Sequence, residues 1–337
     1  MKVLVYEIKG GTLRLTEDSK QKIRKHVQAL GSNVVFAVDY GQAVQGIENA
    51  EVLLGYITPE MLRKAKELQW IQAPMASFGV SSGEYYIFPE LAESDIVLSN
   101  MSGVYSDVIA AHVFAYVTCF ARDFPKLIRN QTEHVWSKDV KAFNLRGLTL
   151  GIVGLGGIGK EVARLGAAFG MRTVAVEPRP QDVPVFIEKV WNPDDLTTLM
   201  KESDFVVLCL PDAPSTMNLI GVREIGAMRE TAYLINIGRG RTLDIDALTE
   251  ALEQHRIAGA GLDVFPPSHE PLPPGHPLWT MDSVIITPHC AAVGTPYERK
   301  VDVFLENLDR YVRGDHLLNV VDKKSMLLTG PAYTIRA

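Results

Sequence analysis

Apolar residues fall into two alternating patterns along this chain: short continuous runs, and longer stretches in which they recur every three or four positions. The first pattern marks buried strands and the second marks helices packed on them. Through the first hundred residues the runs predict strands at Lys2–Tyr6, Val34–Val38, Val52–Gly55, Trp70–Gln72 and Ile96–Leu98, with helices over Thr16–Leu30 and Pro59–Leu68 between them. Pro59 opens its helix and Gly31 follows the end of the other, the expected punctuation. Strands alternating with helices make an open α/β sheet.

The pattern is sharpest at the centre. An apolar strand, Leu148–Val153, runs into Gly154-Leu155-Gly156-Gly157-Ile158-Gly159 and then a helix, Lys160–Phe169. A strand-to-helix turn that cradles a pyrophosphate needs glycine three times: Gly154 for the bend, Gly156 for close approach of the backbone, and Gly159 for packing of helix on strand. The helix N-terminus then offers N–H groups to the phosphates. The next strand, Thr173–Val176, ends in Glu177, where an acid holds the ribose hydroxyls of NAD. Arg179 leaves NADP possible, because a basic group there accepts a 2′-phosphate.

Further strands are expected at Phe205–Leu210, Tyr233–Ile237, Gly259–Leu262 and Val284–Thr287. Asn192-Pro193-Asp194-Asp195 predicts a capped helix start, with the helix ending near Ser203. Ser106 is placed to cap a helix over Asp107–Ala121 that is apolar on more than one face. Such a helix lies in a large core or at a subunit interface; we favour the interface and expect a homodimer. A final amphipathic helix, Glu298–Val312, returns to the first domain. The division is therefore 1–101 plus 294–337 for a discontinuous domain, and 102–293 for a continuous one.

Length and composition narrow the function. The chain has 337 residues, room for two domains, with 47% hydrophobic and 22% charged residues. A net charge of −6 argues against nucleic acid or an anionic membrane as partner. Cys119, Cys209 and Cys290 lie far apart and match neither a metal-binding pair nor a disulfide framework, which suits a reducing compartment. The apolar stretch Val108–Ala121 is interrupted by His112 and is shorter than the roughly 20 residues a membrane span needs. A cytoplasmic protein is expected.

Three more stretches carry a resemblance: Tyr233-Leu234-Ile235-Asn236-Ile237-Gly238-Arg239-Gly240, Ala258-Gly259-Ala260-Gly261-Leu262-Asp263-Val264-Phe265, and Ile286-Thr287-Pro288-His289. Together with the glycine turn they resemble the D-isomer-specific 2-hydroxyacid dehydrogenase family over nearly all of the chain, most strongly from about 145 to 292. The resemblance implies two Rossmann-like doubly wound parallel-sheet α/β domains, the substrate domain being discontinuous. It implies hydride transfer between NAD(H) and C2 of a small 2-keto or D-2-hydroxy acid, without a metal.

By the same resemblance Arg239 binds the substrate carboxylate, His289 is the acid/base, and Glu270 orients its ring. Gly154, Gly156, Gly157, Ile158, Gly159, Glu177, Arg179, Pro211, Thr216, Ile237, Gly238 and Asp263 are the implied cofactor-binding residues. Backbone N–H groups at Ser77, Phe78 and Gly79 are the implied substrate contacts from the first domain. The stretch from Asp263 to Glu270 is longer than the family's usual gap, so this loop must bulge, with His269 as a neighbour that could be confused for a site residue. Cys290 is read as a packing residue. Relatives in the same fold act on phosphite or formate, or serve as NAD(H)-sensing corepressor-like scaffolds, and these are the alternative readings.

Overall fold

The protein is seen here as a computed structural model, described for residues 1–7, 13–76, 78, 87–180, 182–326 and 328–329. In chain order its strands are β1 (Lys2–Tyr6), β2 (Asn33–Ala37), β3 (Val52–Leu54), β4 (Trp70–Gln72), β5 (Val97–Ser99), β6 (Thr149–Val153) and β7 (Arg172–Val176). They continue with β8 (Ile187–Trp191), β9 (Phe205–Leu208), β10 (Tyr233–Asn236), β11 (Gly259–Leu262), β12 (Val284–Ile286), β13 (Val320–Val321) and β14 (Leu328–Thr329). The chain divides into two compact units, Met1–Val104 with Thr295–Ala337, and Tyr105–Gly294. No helix among the described residues is long and apolar enough to cross a membrane.

In the first unit the sheet order is β14-β13-β5-β4-β3-β1-β2. Strands β1 to β5 run parallel in the doubly wound order 2-1-3-4-5, and β13 joins β5 antiparallel. The C-terminal part of the chain is tied to this sheet by a buried polar network. Asn307, on the helix Glu298–Arg313, donates to Gln72 Oε1 at 2.8 Å and accepts the Leu318 N–H at 2.7 Å. Ser99 also donates to Gln72 Oε1, and Ser99 in turn accepts the Trp70 indole N–H, each at 2.8 Å. Trp70 stacks between Phe304 and Tyr311, ring centroids 5.7 and 5.5 Å away. Every member of this network is satisfied, so the burial of its polar groups costs little and the pairing is specific.

The second unit's sheet, β12-β11-β10-β9-β6-β7-β8, is parallel throughout. Alternate residues of its central strands feed two cores, one per face. On one face Leu150, Ile152, Phe205 and Val207 meet the helices Ser106–Ala121 and Gly157–Ala168. On the other, Val153, Val206 and Leu208 meet Leu196–Glu202 and Ile245–Glu253. The winding reverses between β6 and β9, so the crevice that binds ligands in such sheets opens at the carboxyl ends of those two strands.

Several local expectations are corrected. Ser106 is the first residue of its helix and not its cap, and its hydroxyl is buried without a hydrogen bond. The Asn192 side chain makes no capping bond; a 3₁₀ turn, Pro193–Asp195, leads into the α-helix instead. The helix after the glycine turn starts at Gly157, inside the motif. Strand β8 escaped notice because its central Glu188 and Lys189 break the apolar run, as suits a strand at the sheet's edge. The apolar character of Ser106–Ala121 is accounted for within its own unit, where Phe114 stacks on Phe169 and Phe120 on Tyr233.

The glycines of the turn differ in what demands them. Gly154 has φ +96°, and a Cβ there would lie 2.9 Å from the Cys209 carbonyl oxygen. A Cβ on Gly159 would collide with the Gly154 carbonyl oxygen, whereas a Cβ on Gly156 would meet nothing within 4 Å. We expect Gly159→Ala to destabilise the protein by about 1–3 kcal/mol, the usual cost of overpacking, while Gly156→Ala changes stability by less than about 0.5 kcal/mol. Denaturant unfolding of the two variants checks this.

In the first unit Lys300 is 5% exposed, its ammonium 4.9 Å from the Tyr297 ring centroid. Burial pushes it down to about 8 from its ordinary 10.5. The unfolded chain keeps this proton to higher pH than the folded one, so the residue's contribution to stability rises with pH between those two values. Lys300→Met should therefore flatten the rise of stability with pH between about 8 and 10.5. Unfolding midpoints at the two pH values test it.

Candidate active site

The second unit brings most of the sequence-predicted residues to the carboxyl edge of its sheet. The helix Gly157–Ala168 begins at the glycine turn with Gly156 as its cap residue and no side-chain cap, which leaves its N-terminus suited to an anion. Gly157, Ile158 and Gly159 form its first turn. Glu177, at the end of β7, bends back toward the turn. Its Oε2 accepts the Leu155 N–H at 2.9 Å and its Oε1 the Arg179 N–H at 3.2 Å. The carboxylate is thereby fixed beside the phosphate-type cradle, and the Arg179 side chain stands exposed.

The turn after β9 is self-supporting. Thr216 donates to the Pro211 carbonyl at 2.7 Å and accepts the Ala213 N–H at 3.0 Å, so its hydroxyl is spent on holding the turn that presents Pro211. Sequence reasoning passed over Asp212 in this turn, although its Oδ1 is buried with no hydrogen bond. The only signal was an acid in an otherwise apolar and small-residue stretch.

Arg239 follows β10 on a turn built by two polar side chains. Asn236, fully buried, accepts the Gly238 N–H at 3.1 Å, and Thr242 donates to the Arg239 carbonyl at 2.7 Å. Ile237 is buried beneath the turn. Gly238 and Gly240 are bare because backbone crosses them: a Cβ on Gly238 would sit 2.6 Å from the Leu210 carbonyl oxygen, and one on Gly240 would collide with the Phe265 backbone. The guanidinium donates to the Gly238 carbonyl at 2.8 Å. Its enclosure lowers its pKa, and the negative charges of Asp212 and Glu270 oppose that shift. The planar guanidinium is suited to a carboxylate in forked geometry, while Asp212 and Glu270 already offset part of its charge.

His289 and Glu270 meet. Nδ1 of the imidazole lies 2.7 Å from Glu270 Oε1, both side chains being about half exposed at 51% and 41%. With Nδ1 turned to the carboxylate, Nε2 is the nitrogen left to exchange a proton. The long loop from Asp263 is taken up by a 3₁₀ turn, Pro267–His269, and His269 bonds Ser268 rather than His289. His289 has φ +52°, unusual for a residue with a Cβ, and its N–H is held by the Asp263 carbonyl at 2.8 Å.

Asp263 is 2% exposed and accepts the Thr287 hydroxyl at 2.5 Å, the Cys290 N–H at 2.9 Å and the Ala291 N–H at 3.0 Å. Its carboxylate is a structural hub as much as a surface for a ligand. Cys290 is not a core residue: it is half-buried, and its sulfur lies with His112 Nε2 and an Asp263 oxygen, all within 4.8 Å of one another. His112, Tyr116 and Thr287 were not read from the sequence as site residues, although His112 and Tyr116 stand one helical turn apart. The other two cysteines are poor nucleophiles, since burial raises Cys119 and pushes Cys209 up to about 12.

Of the residues expected to contact substrate from the first unit, Ser77 and Gly79 lie outside the described residues. The Phe78 side chain is packed in that unit's core, 7% exposed.

Comparison with known proteins adds to this picture. The family model for the D-isomer specific 2-hydroxyacid dehydrogenase NAD binding domain matches residues 114–291. A glyoxylate reductase of Korarchaeum cryptofilum is 34% identical over 251 residues, covering 72% of this chain and 74% of that protein. A D-3-phosphoglycerate dehydrogenase of Methanocaldococcus jannaschii is 33% identical over 291 residues, 83% of this chain and 53% of that protein. Among solved structures, a D-isomer specific 2-hydroxyacid dehydrogenase of Xanthobacter autotrophicus Py2 in complex with NADPH and MES superposes with a TM-score of 0.79 at 27% identity, covering 95% of this chain and 98% of that one. The match to the family model spans the glycine turn, Arg239 and His289 alike, and the fold continues the likeness on both sides of it: this chain belongs to the D-isomer specific 2-hydroxyacid dehydrogenase family and is an enzyme of that family.

Proposed function

We propose that the protein is an NAD-dependent reductase of a small 2-keto acid, running in reverse on the D-2-hydroxy acid. Residues 105–294 serve as the NAD-binding domain and residues 1–104 with 295–337 as the substrate domain. The observation that carries the reading is the 2.7 Å pairing of His289 Nδ1 with Glu270 Oε1, on the same sheet edge as Arg239. A dinucleotide fits the cradle because Gly156 leaves open space where any side chain would intrude, at an uncapped helix start. Bound there, it supplies the hydride.

The chain's own residues do the rest. Arg239 forks onto the substrate carboxylate and, as a fixed cation, polarises the adjacent carbonyl. His289 gives its Nε2 proton to the carbonyl oxygen as the alcohol forms, and takes it back in oxidation. Glu270 fixes the ring's orientation and compensates the imidazolium charge. Glu177, an acid held by two N–H groups, favours the ribose hydroxyls of NAD over a 2′-phosphate. The relatives act on different acids by name, glyoxylate and 3-phosphoglycerate, and glyoxylate or hydroxypyruvate is the size of substrate proposed here. A cytoplasmic location is in keeping with three free cysteines.

A homodimer is part of the proposal. The helix Phe124–Thr132 has no buried residue, yet Phe124, Ile128 and the following Val135 and Trp136 expose 47%, 55%, 48% and 94% of their surface. A short helix with no fully buried residue gains little from packing, and a second copy supplying the same apolar patch would cover it symmetrically.

Oxidation of NADH and of NADPH should be followed with glyoxylate, hydroxypyruvate, pyruvate, phenylpyruvate and 2-ketoisocaproate. NADH turnover on at least one is expected; NADH binding with no turnover on any would point to phosphite or formate next, and to a sensing scaffold if those fail too. His289→Gln should lower kcat by ~10²- to 10⁴-fold with NADH affinity kept, and Arg239→Lys should raise KM sharply because lysine cannot fork. Gly156→Ala should weaken NADH binding at unchanged stability. Sedimentation should give a dimer, and Ile128→Glu with Trp136→Glu a monomer.

A further inference from the structure

Thr287 stands at the junction of three side chains. Its Oγ1 is 2.5 Å from Asp263 Oδ1, 2.5 Å from the Tyr116 hydroxyl and 3.1 Å from His112 Nε2. A hydroxyl carries one proton and two acceptor sites. Asp263 accepts throughout this cluster, taking the Cys290 and Ala291 N–H groups and the Thr287 proton, so both Tyr116 and His112 must then donate to Thr287. The phenol is neutral in this arrangement, and burial holds it so by raising its pKa. The His112 proton is fixed on Nε2. Every donor in the cluster points toward one carboxylate.

We infer that His112 and Tyr116, on the helix Ser106–Ala121, are positioning residues that hold His289 in its working place through Thr287 and Asp263. The inference rests on the acid/base role proposed above for His289. Asp263 grips the chain on both sides of that residue, by the Thr287 hydroxyl before it and the Cys290 and Ala291 N–H groups after it, while its own carbonyl takes the His289 N–H. A histidine at φ +52° persists only where its surroundings over-determine it. The helix side chains complete that clamp.

The sheet makes room for them. Gly261 of β11 lies under Tyr116, where a Cβ would approach the ring's Cγ to 2.8 Å. The His112 ring meets Tyr116 edge-on, centroids 4.9 Å apart and planes at 88°. His112, Asp263 and Cys290 also have the composition of a metal site, with ligand-type atoms within 4.8 Å. That reading conflicts with the hydrogen bonds: His112 Nε2 carries the proton it gives to Thr287 and so has no lone pair for an ion.

If the clamp loosens, the imidazole leaves its line to the carbonyl oxygen while the glycine turn and Arg239 are untouched. The effect belongs in kcat, with NADH affinity and KM for the keto acid kept. The test uses the full chain carrying Tyr116→Phe, His112→Leu or His112→Gln, each checked for thermal stability and for NADH binding by fluorescence. Tyr116→Phe and His112→Leu should each lower kcat by about 10-fold or more, the scale of a misplaced reacting group. His112→Gln keeps an N–H donor where Nε2 stands and should recover most of that loss. Folded Tyr116→Phe and His112→Leu proteins with parental kcat overturn the inference, as does a Gln variant no better than Leu. His289→Gln is measured alongside. If it loses turnover while the helix variants do not, only the positioning role falls; if it keeps turnover, the acid/base reading falls and the positioning role with it.

Discussion

Backbone running directly against backbone is the constraint on which the second unit depends. Gly159 lies on the Gly154 carbonyl, Gly238 on the Leu210 carbonyl, and Gly240 on the Phe265 backbone, so at three crossings a single methyl group has no room. These crossings sit at the carboxyl edge of a parallel sheet, where strands end and the chain must leave in different directions. Bringing main chain this close lets a helix start at the sheet edge, puts Arg239 beside the Glu270 loop, and leaves the space above Gly156 open.

The second requirement is that buried charge be met. Asp263, enclosed at the end of β11, receives a hydroxyl and two backbone N–H groups, and those bonds are what shape the turn bearing His289. Arg239 faces the opposite problem: enclosure works against its charge, and Asp212 and Glu270 supply the compensating field. Its guanidinium is held in place by its bond to the Gly238 carbonyl. The first unit solves its assembly differently. Its two sequence-distant parts are joined by Asn307, Gln72, Ser99 and Trp70, a network whose every polar atom has its partner, with Phe304 and Tyr311 stacked on the same indole.

Much of this was legible from residue order. Strands β1 and β4 stand where their apolar runs predict them, and β11 coincides with its expected span, because a strand buried on both faces reads as a nearly continuous apolar run. The glycine turn and Glu177 were legible because a strand, three glycines, a helix and an acid are all needed in that order. Strand β8 was not, since an edge strand with a charged centre lacks the signal that burial imposes. Ser106 and Asn192 misled for a related reason: the residue types that cap helices also occur beside helices whose backbone turns a little earlier or tighter.

What the sequence determined by itself is whatever local chemistry dictates: the α/β alternation, the bend at Gly154, the acid at Glu177, and the motifs carrying Arg239 and His289. Tertiary structure decided what depends on distance between remote residues. That Glu270 rather than His269 reaches His289 follows from a 3₁₀ turn that points one side chain inward and its neighbour toward Ser268. That Cys290 belongs beside Asp263 and not in the core, and that His112 and Tyr116 reach Thr287 from a helix more than 170 residues earlier, follows from packing a helix across the sheet. Hydrogen bonds are short-ranged and directional, so which distant donors converge on one carboxylate is fixed only when the backbone that carries them has been folded into place.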